Sequence, residues 1–296
     1  MMPTKLILDT DIGTDVDDAW ALALCLASRE IDLVGVTLVY GDLDVRSRIA
    51  LKMLHLAGRA DVPVFKGLST PMTDGVDIYW AGHEGSDTDF SDISGLSARD
   101  GAVEFILDTV SEHPGEVAIC SIGPLTNIAE AIRRNPEAMR RVKGPVMMAS
   151  SYEGEGVEAA AWEHNGCCDP AATRIVFESQ IPAVVVGLNV TRQVSVRREQ
   201  LGALEGSPFG DYLAAMTYQY LDIPRRDFTC MHDPLAVSTL IDPSLVNTRR
   251  TSAGVLDDGR VAFSSDARGW LDVCVGVDAG RFEKMLAERV TAIDCL

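Results

Sequence analysis

Short, almost wholly apolar runs return along this chain at intervals filled by amphipathic segments, and that alternation restricts the architecture more than any other feature. Strand-like runs are read at Lys5 to Leu8, 31–41, 62–65, 117–122, 145–150 and 182–188. Runs such as 31-IDLVGVTLVYG-41 and 182-PAVVVGL-188 are apolar on both of the faces that a strand presents. Strands of that kind belong inside a parallel sheet covered by helices on both sides. Helical periodicity is read at 17–28, 45–58, 98–112, 125–134, 169–179, 207–221 and 279–289. The segment 253-AGVLDDGRVAFS-264 reads as a hairpin turning at Asp257, Asp258 and Gly259. No repeat of solenoid length and no Pro/Gly/Ser linker interrupts the pattern, so residues 1–296 are expected to form one α/β domain with an open, mostly parallel sheet. In such sheets ligands bind beyond the carboxyl ends of the strands, where the chain turns from strand to helix.

Charge narrows the partners. Lys and Arg total 26 against 44 Asp and Glu, a formal charge of −18, so the long-range field repels nucleic acid backbones. No apolar run reaches the ~18 residues that a membrane-spanning helix needs, and the start, MMPTKLILDTD, meets an acidic cluster before a signal-peptide core forms. The seven cysteines, Cys25, Cys120, Cys167, Cys168, Cys230, Cys274 and Cys295, are odd in number and contain no CxxC pair. Reduced thiols in a cytoplasmic protein are the expectation, with no membrane and no nucleic acid as partner.

The strongest local signal is 9-DTDIGTDVDDAWAL-22, in which Asp9, Asp11, Asp15, Asp17 and Asp18 crowd between a strand and a helix. Helix capping accounts for one or two of them. Mutual repulsion would protonate the rest unless a cation neutralised them, and an oxygen-seeking ion such as Ca²⁺ or Mg²⁺ is the natural candidate. An EF-hand is excluded: counted from Asp9 the glycine comes one place early, and the twelfth position is Trp20. A magnesium-dependent phosphatase of the haloacid-dehalogenase type also opens with Asp-x-Asp, but Gly13 stands where it needs a threonine.

Together with three later segments, this motif resembles the inosine-uridine-preferring nucleoside hydrolase family, whose signature is Asp-x-Asp-x-Gly followed by Asp-Asp-Ala. Here these are Asp9, Asp11, Gly13 and Asp17, Asp18, Ala19, with two more residues between the parts than the common form. The later matches are 123-GPLTNIAEAI-132, 162-WEHNGCCDPAAT-173 and 230-CMHDPLAV-237. The resemblance implies the Rossmann-like nucleoside hydrolase fold and a calcium ion held by Asp11, Asp18, the Thr126 carbonyl and Asp233. It further implies Asp11 as general base, Asp17 and Asn165 on the ribose hydroxyls, and Glu163 as a looser ribose contact. A homodimer or homotetramer acting on a small nucleoside is likewise implied.

Help for the leaving base falls to His232 or to His83, the latter in a long irregular stretch, 67–97, that also carries Tyr79 and Trp80. Aromatic residues of 218-YQYLD-222 are candidates to stack on the base. Two departures stand out. Val157 replaces the asparagine that grips the ribose 5′-hydroxyl in the family, and Asp42 replaces an amide near the site. The competing readings are the phosphatase and a catalytically silent calcium-binding scaffold of the same fold.

Overall fold

A computed structural model describes residues 3–223 and 225–293; Cys295 lies outside the described residues. The strands are β1 (Thr4–Thr10), β2 (Ile31–Leu38), β3 (Val64–Lys66), β4 (Arg99–Asp100), β5 (Val117–Ser121), β6 (Val146–Met148), β7 (Ala183–Val186), β8 (Ser195–Arg197), β9 (Phe228–Cys230), β10 (Val246–Val255), β11 (Val261–Ser265) and β12 (Leu271–Val277). The helices are α1 (Asp17–Leu26), α2 (Leu43–Leu56), α3 (Ala102–Glu112), α4 (Thr126–Arg134), α5 (Pro136–Met139), α6 (His164–Cys167), α7 (Pro170–Glu178), α8 (Leu188–Thr191), α9 (Pro208–Asp222), α10 (His232–Ile241) and α11 (Ala279–Val290).

Ten strands form one sheet in the order β11-β10-β12-β7-β6-β5-β1-β2-β3-β4, and β8 pairs with β9 in a separate ribbon. Every neighbour from β12 to β4 is parallel. Only β10 runs against its neighbours, β12 and β11. Side chains alternate across the sheet as a strand period of two requires. Leu6 and Leu8 join Trp20 and Leu235 in the core on one face, while Ile7 joins Ile106, Ile128 and Val176 on the other.

The expected pattern is present with two adjustments. The helix read from residue 98 begins at Ala102, because Arg99 and Asp100 extend as an edge strand beside β3 and Gly101 then turns through a φ of +93°. The hairpin at 253–264 forms, with Leu256 N–H donating to the Arg260 carbonyl at 2.8 Å, but it is the antiparallel margin of the main sheet. What joins it there is β12, whose run 271–277 pairs in parallel with β7.

The chain leaves β1 toward β2, β3 and β4 on one side, then returns to β5 and continues through β6 and β7 on the other. That reversal between β1 and β5 is the topological switch point, where the loops at the strand ends diverge and leave a crevice.

Candidate active site

Loops from the carboxyl ends of β1, β5 and β6 meet the starts of α1, α6 and α10 around a cavity of about 530 Å³. Asp11, Asp17, Asp18, Asp233, Asn165 and Glu163 line it together with both predicted histidines, His83 and His232. Gly123 is required beside it, since a Cβ there would stand 2.8 Å from Asp11 Oδ1.

Carboxylate oxygens of Asp17, Asp18 and Asp233 lie within 4.8 Å of one another, all three side chains buried. Asp17 Oδ2 accepts from the Asp233 N–H at 3.2 Å, which ties the start of α10 to the start of α1. Thr10 Oγ1 donates to Asp18. Burial first, and the neighbouring carboxylates next, push all three groups well above the usual carboxylate range. Buried oxygen donors that repel one another fit a hard divalent cation, which would replace the protons they otherwise retain.

Asp11 lies beside this trio and is the foremost of the neighbouring carboxylates that raise Asp18. Its carboxylate is 3.7 Å from the guanidinium of Arg46 and 3.9 Å from His164 Nε2. Asp9, the first aspartate of the motif, never reaches the cavity: it accepts from Thr37 Oγ1 at 2.7 Å, Asn127 Nδ2 at 2.8 Å and Ser121 Oγ at 3.3 Å. It pins β1 to β2, β5 and α4, and burial raises it to about 6. Asp15 lines the cavity with Tyr220.

Asn165 donates through Nδ2 to the carbonyls of Ile122, at 2.9 Å, and Met148, at 3.0 Å, which fixes the amide and leaves its oxygen for the cavity. Glu163 accepts from the N–H groups of Ser150, Asn165 and Gly166 at 2.7–2.9 Å, so it caps α6 while facing the cavity. His232 Nδ1 meets Thr191 Oγ1 at 2.6 Å, and burial lowers its pKa, Asp15 opposing and Arg192 adding to the effect.

Two of the expected site residues do not line this cavity. Thr126 is not on the cavity wall: its hydroxyl donates to Asp169 Oδ2 at 2.8 Å, beneath the site. The residue of that loop that does line the wall is Ile122, whose carbonyl receives Asn165. Asp42 is exposed, caps α2 by accepting from Asp44 N–H and Val45 N–H at 3.0 and 3.1 Å, and takes no part in the wall. A carboxylate there is explained by the helix N-terminus alone.

Residues that sequence reasoning missed line the same cavity or support its wall from behind. Arg46 is fully buried, donates to the Tyr40, Asp11 and Ile12 carbonyls, and lies 5.1 Å from the ring centre of Trp80. His164 meets Tyr40, Tyr79 and Trp162 edge-on, with ring centres 5.8–6.4 Å apart. Glu84, in the 67–97 stretch, accepts from Thr14 Oγ1 at 3.0 Å and from the N–H groups of Ala81 and Gly82. Arg192 and Arg226 stand on the wall near His232 and Tyr220. The middle residue of Glu163-His164-Asn165 was the one available signal for His164; nothing in the sequence marks the arginines as cavity residues.

A parallel sheet with an acidic, polar cavity at its switch point defines an α/β protein with a small-ligand site, and the comparisons supply the reaction class. The chain matches the inosine-uridine preferring nucleoside hydrolase family over residues 6–284 and belongs to that family; it is an N-glycosyl hydrolase of ribonucleosides. It is 31% identical to a pyrimidine-specific ribonucleoside hydrolase of Citrobacter koseri, over 98% of each chain. With an inosine-uridine preferring nucleoside hydrolase of Leishmania major it shares 32% identity, over 86% of this chain and 84% of the other. Among solved structures, a purine-preferring ribonucleoside hydrolase from Gardnerella vaginalis matches with a TM-score of 0.86 at 31% identity, over 98% of both chains.

Proposed function

We propose that this hydrolase works with a calcium ion at Asp11, Asp18 and Asp233, with Asp11 also as general base and with Asp17 and Asn165 orienting the ribose. The observation that carries this reading is the buried trio of Asp17, Asp18 and Asp233 beside an asparagine whose donors are already committed. The Ile122 carbonyl takes the place first assigned to Thr126, because only Ile122 borders the cavity. Bound there, calcium would supply Lewis-acid polarisation of a water and of the vicinal ribose hydroxyls.

The chain's own residues supply the rest. N-glycosidic cleavage builds positive charge on the ribosyl ring, and the acidic floor favours that charge. Asp11, held from behind by Arg46, accepts the proton of the attacking water. Asp17 and the Asn165 oxygen accept from ribose hydroxyls and align the anomeric carbon with that water. Glu163, its oxygens occupied by three N–H groups, contributes chiefly by shaping the loop. His232 and His83 line the same cavity as Tyr220, whose ring centre is 6.4 Å from that of His83, and are the candidates to assist the departing base. The same reading keeps the enzyme cytoplasmic, a single domain and a homodimer or homotetramer, supported by the six free cysteines among the described residues only as far as the compartment goes.

Free ribose released from a ribonucleoside panel tests the assignment, before and after dialysis against a chelator. Activity should vanish on chelation and return with calcium. Full turnover in a demonstrably metal-free preparation would overturn the metal assignment.

A further inference from the structure

In a ribonucleoside the base on C1′ and the 5′ carbon on C4′ flank the ring oxygen, and the vicinal hydroxyls lie on the opposite face of the sugar. With those hydroxyls on the acidic floor, the base and the 5′ end meet different walls of the cavity. On the reading above, His83, Tyr220 and His232 form the wall that takes the base. The 5′ end then faces the wall around His164, whose Nε2 is 3.9 Å from the Asp11 carboxylate. Among the described residues no ring contact joins His164 to His83 or Tyr220.

That second wall is aromatic and open to water. Tyr79 and Trp162 both border the cavity, and they are 59% and 62% exposed. Each meets His164 edge-on, with ring centres 6.2 and 6.4 Å away. Large rings standing together in water at the mouth of a cavity mark a binding surface, whereas single exposed ones are ordinary. Phe228, the other exposed aromatic residue among those described, has Arg197 over its ring at 5.9 Å.

Both rings are carried on backbone that is fixed from behind. The hydroxyl of the buried Tyr40 accepts from the Tyr79 N–H at 2.8 Å, and the Tyr40 ring packs edge-on against His164. Tyr40 does this from a φ of +65°, a strained conformation for a tyrosine and one retained where the surroundings enforce it. Trp162 adjoins Glu163, whose carboxylate is held by three N–H groups. A surface braced in this way loses little freedom when a ligand covers it. The charge nearby selects the ligand. Asp11 and Glu163 border the aromatic end, while the arginines of the wall, Arg192 and Arg226, act on His232 and Tyr220. A phosphate on the 5′ carbon would therefore meet carboxylates, and an uncharged group would not be repelled.

We propose that Tyr79 and Trp162 form a subsite for an uncharged, apolar substituent on the 5′ carbon, so that 5′-deoxy-5′-alkylthio and 5′-arylthio ribonucleosides are substrates. This deepens the N-glycosidase reading and rests on it. The substituent stays outside the reacting bonds: the C1′–N bond breaks with its pair passing to the base, water oxygen bonds to C1′, Asp11 takes the water proton, and the base is protonated by solvent. What the substituent contributes is contact, since sulfur and aromatic carbon both pack favourably on aromatic rings that water otherwise covers.

The test measures kcat/KM for base release from 5′-deoxyuridine, 5′-deoxy-5′-(benzylthio)uridine and uridine 5′-monophosphate, and from the three inosine counterparts. Wild type is compared with Tyr79→Ala, Trp162→Ala and the double variant, whose exposed positions the fold should tolerate. In the wild type the benzylthio compound should exceed the 5′-deoxy one on the order of 10-fold, the contribution of two ring contacts. Each single variant should lower that ratio several-fold and the double variant bring it near unity, with the monophosphates the poorest substrates throughout. A wild-type ratio at or below unity, or a ratio unchanged in the double variant, would overturn the proposal. So would an unchanged ratio accompanied by a shift in sedimentation mass, which would assign the rings to a contact between subunits. Unmodified uridine and inosine separate the two readings: release of neither base would sink the N-glycosidase reading, whereas their cleavage with no gain from the benzylthio group would sink the subsite alone.

Discussion

Asp18 and Asp233 come from helices that begin 215 positions apart, α1 at Asp17 and α10 at His232, yet their buried carboxylates lie within 4.8 Å of each other. Replacing either by asparagine keeps the shape and removes one charge from the donor set. Asp18→Asn and Asp233→Asn are therefore expected to lose at least about 10²-fold in kcat and to bind calcium measurably more weakly by calorimetry, while circular dichroism stays native. Near wild-type turnover by a folded variant would remove that residue from the metal site. Asp11→Asn should show a comparable fall in kcat together with weaker calcium binding, because the carboxylate beside Asp18 would serve both as base and in the donor set.

Among the elements, the stretch 67–97 is fastened to the aspartate loop through Glu84, which accepts from Thr14 at 3.0 Å, while Arg46 reaches Thr14 at 3.3 Å and stacks on Trp80. Glu84→Gln replaces an acceptor by a donor against the N–H groups of Ala81 and Gly82, and losing such buried bonds costs on the order of 1–3 kcal/mol locally. The expected outcome is faster limited proteolysis within 67–97 and a several-fold lower kcat/KM at nearly unchanged global Tm; an unchanged cleavage pattern would show that the stretch is held by other contacts. The loop 153–160 sets a different expectation. None of its residues lines the cavity, and Val157 is 57% exposed, so nothing from it grips the sugar. A 5′-deoxynucleoside should thus be cleaved within several-fold of its parent, whereas a 2′-deoxynucleoside should suffer severely. A large 5′ penalty would place an unrecognised polar contact at that end.

For the whole molecule, Asp9 links pH to stability. Burial raises it from 3.8 to about 6, so the fold holds its proton more tightly than the unfolded chain does. Its contribution is complete below 3.8 and is lost as pH rises from there through about 6. In saturating calcium, the Tm of the wild type should fall across that window relative to Asp9→Asn, which keeps the hydrogen-bonding shape without the titration. Parallel Tm profiles for the two proteins would show that Asp9 carries no such linkage.

Reading the chain alone was enough for the elements that are periodic and for the side chains that sit beside them. Apolar strands of period two, the amphipathic helices between them and the Asp-rich turn after β1 are local properties, written in neighbouring residues. Asp11, Asp17, Asp18, Glu163, Asn165 and Asp233 could be named because each lies within a compact motif at a strand end or helix start. Which groups of a motif face inward was decided by tertiary structure. In the Leu125-Thr126-Asn127 loop the chain turns so that Thr126 meets Asp169 and Asn127 meets Asp9, leaving the preceding Ile122 at the cavity. Asp42 was drawn to the N-terminus of α2 instead of the site. Arg46 looks like an ordinary helix cation in one dimension. Its role depends on contacts far along the chain, that with Asp11 across 35 positions among them, and no local pattern encodes such a pairing.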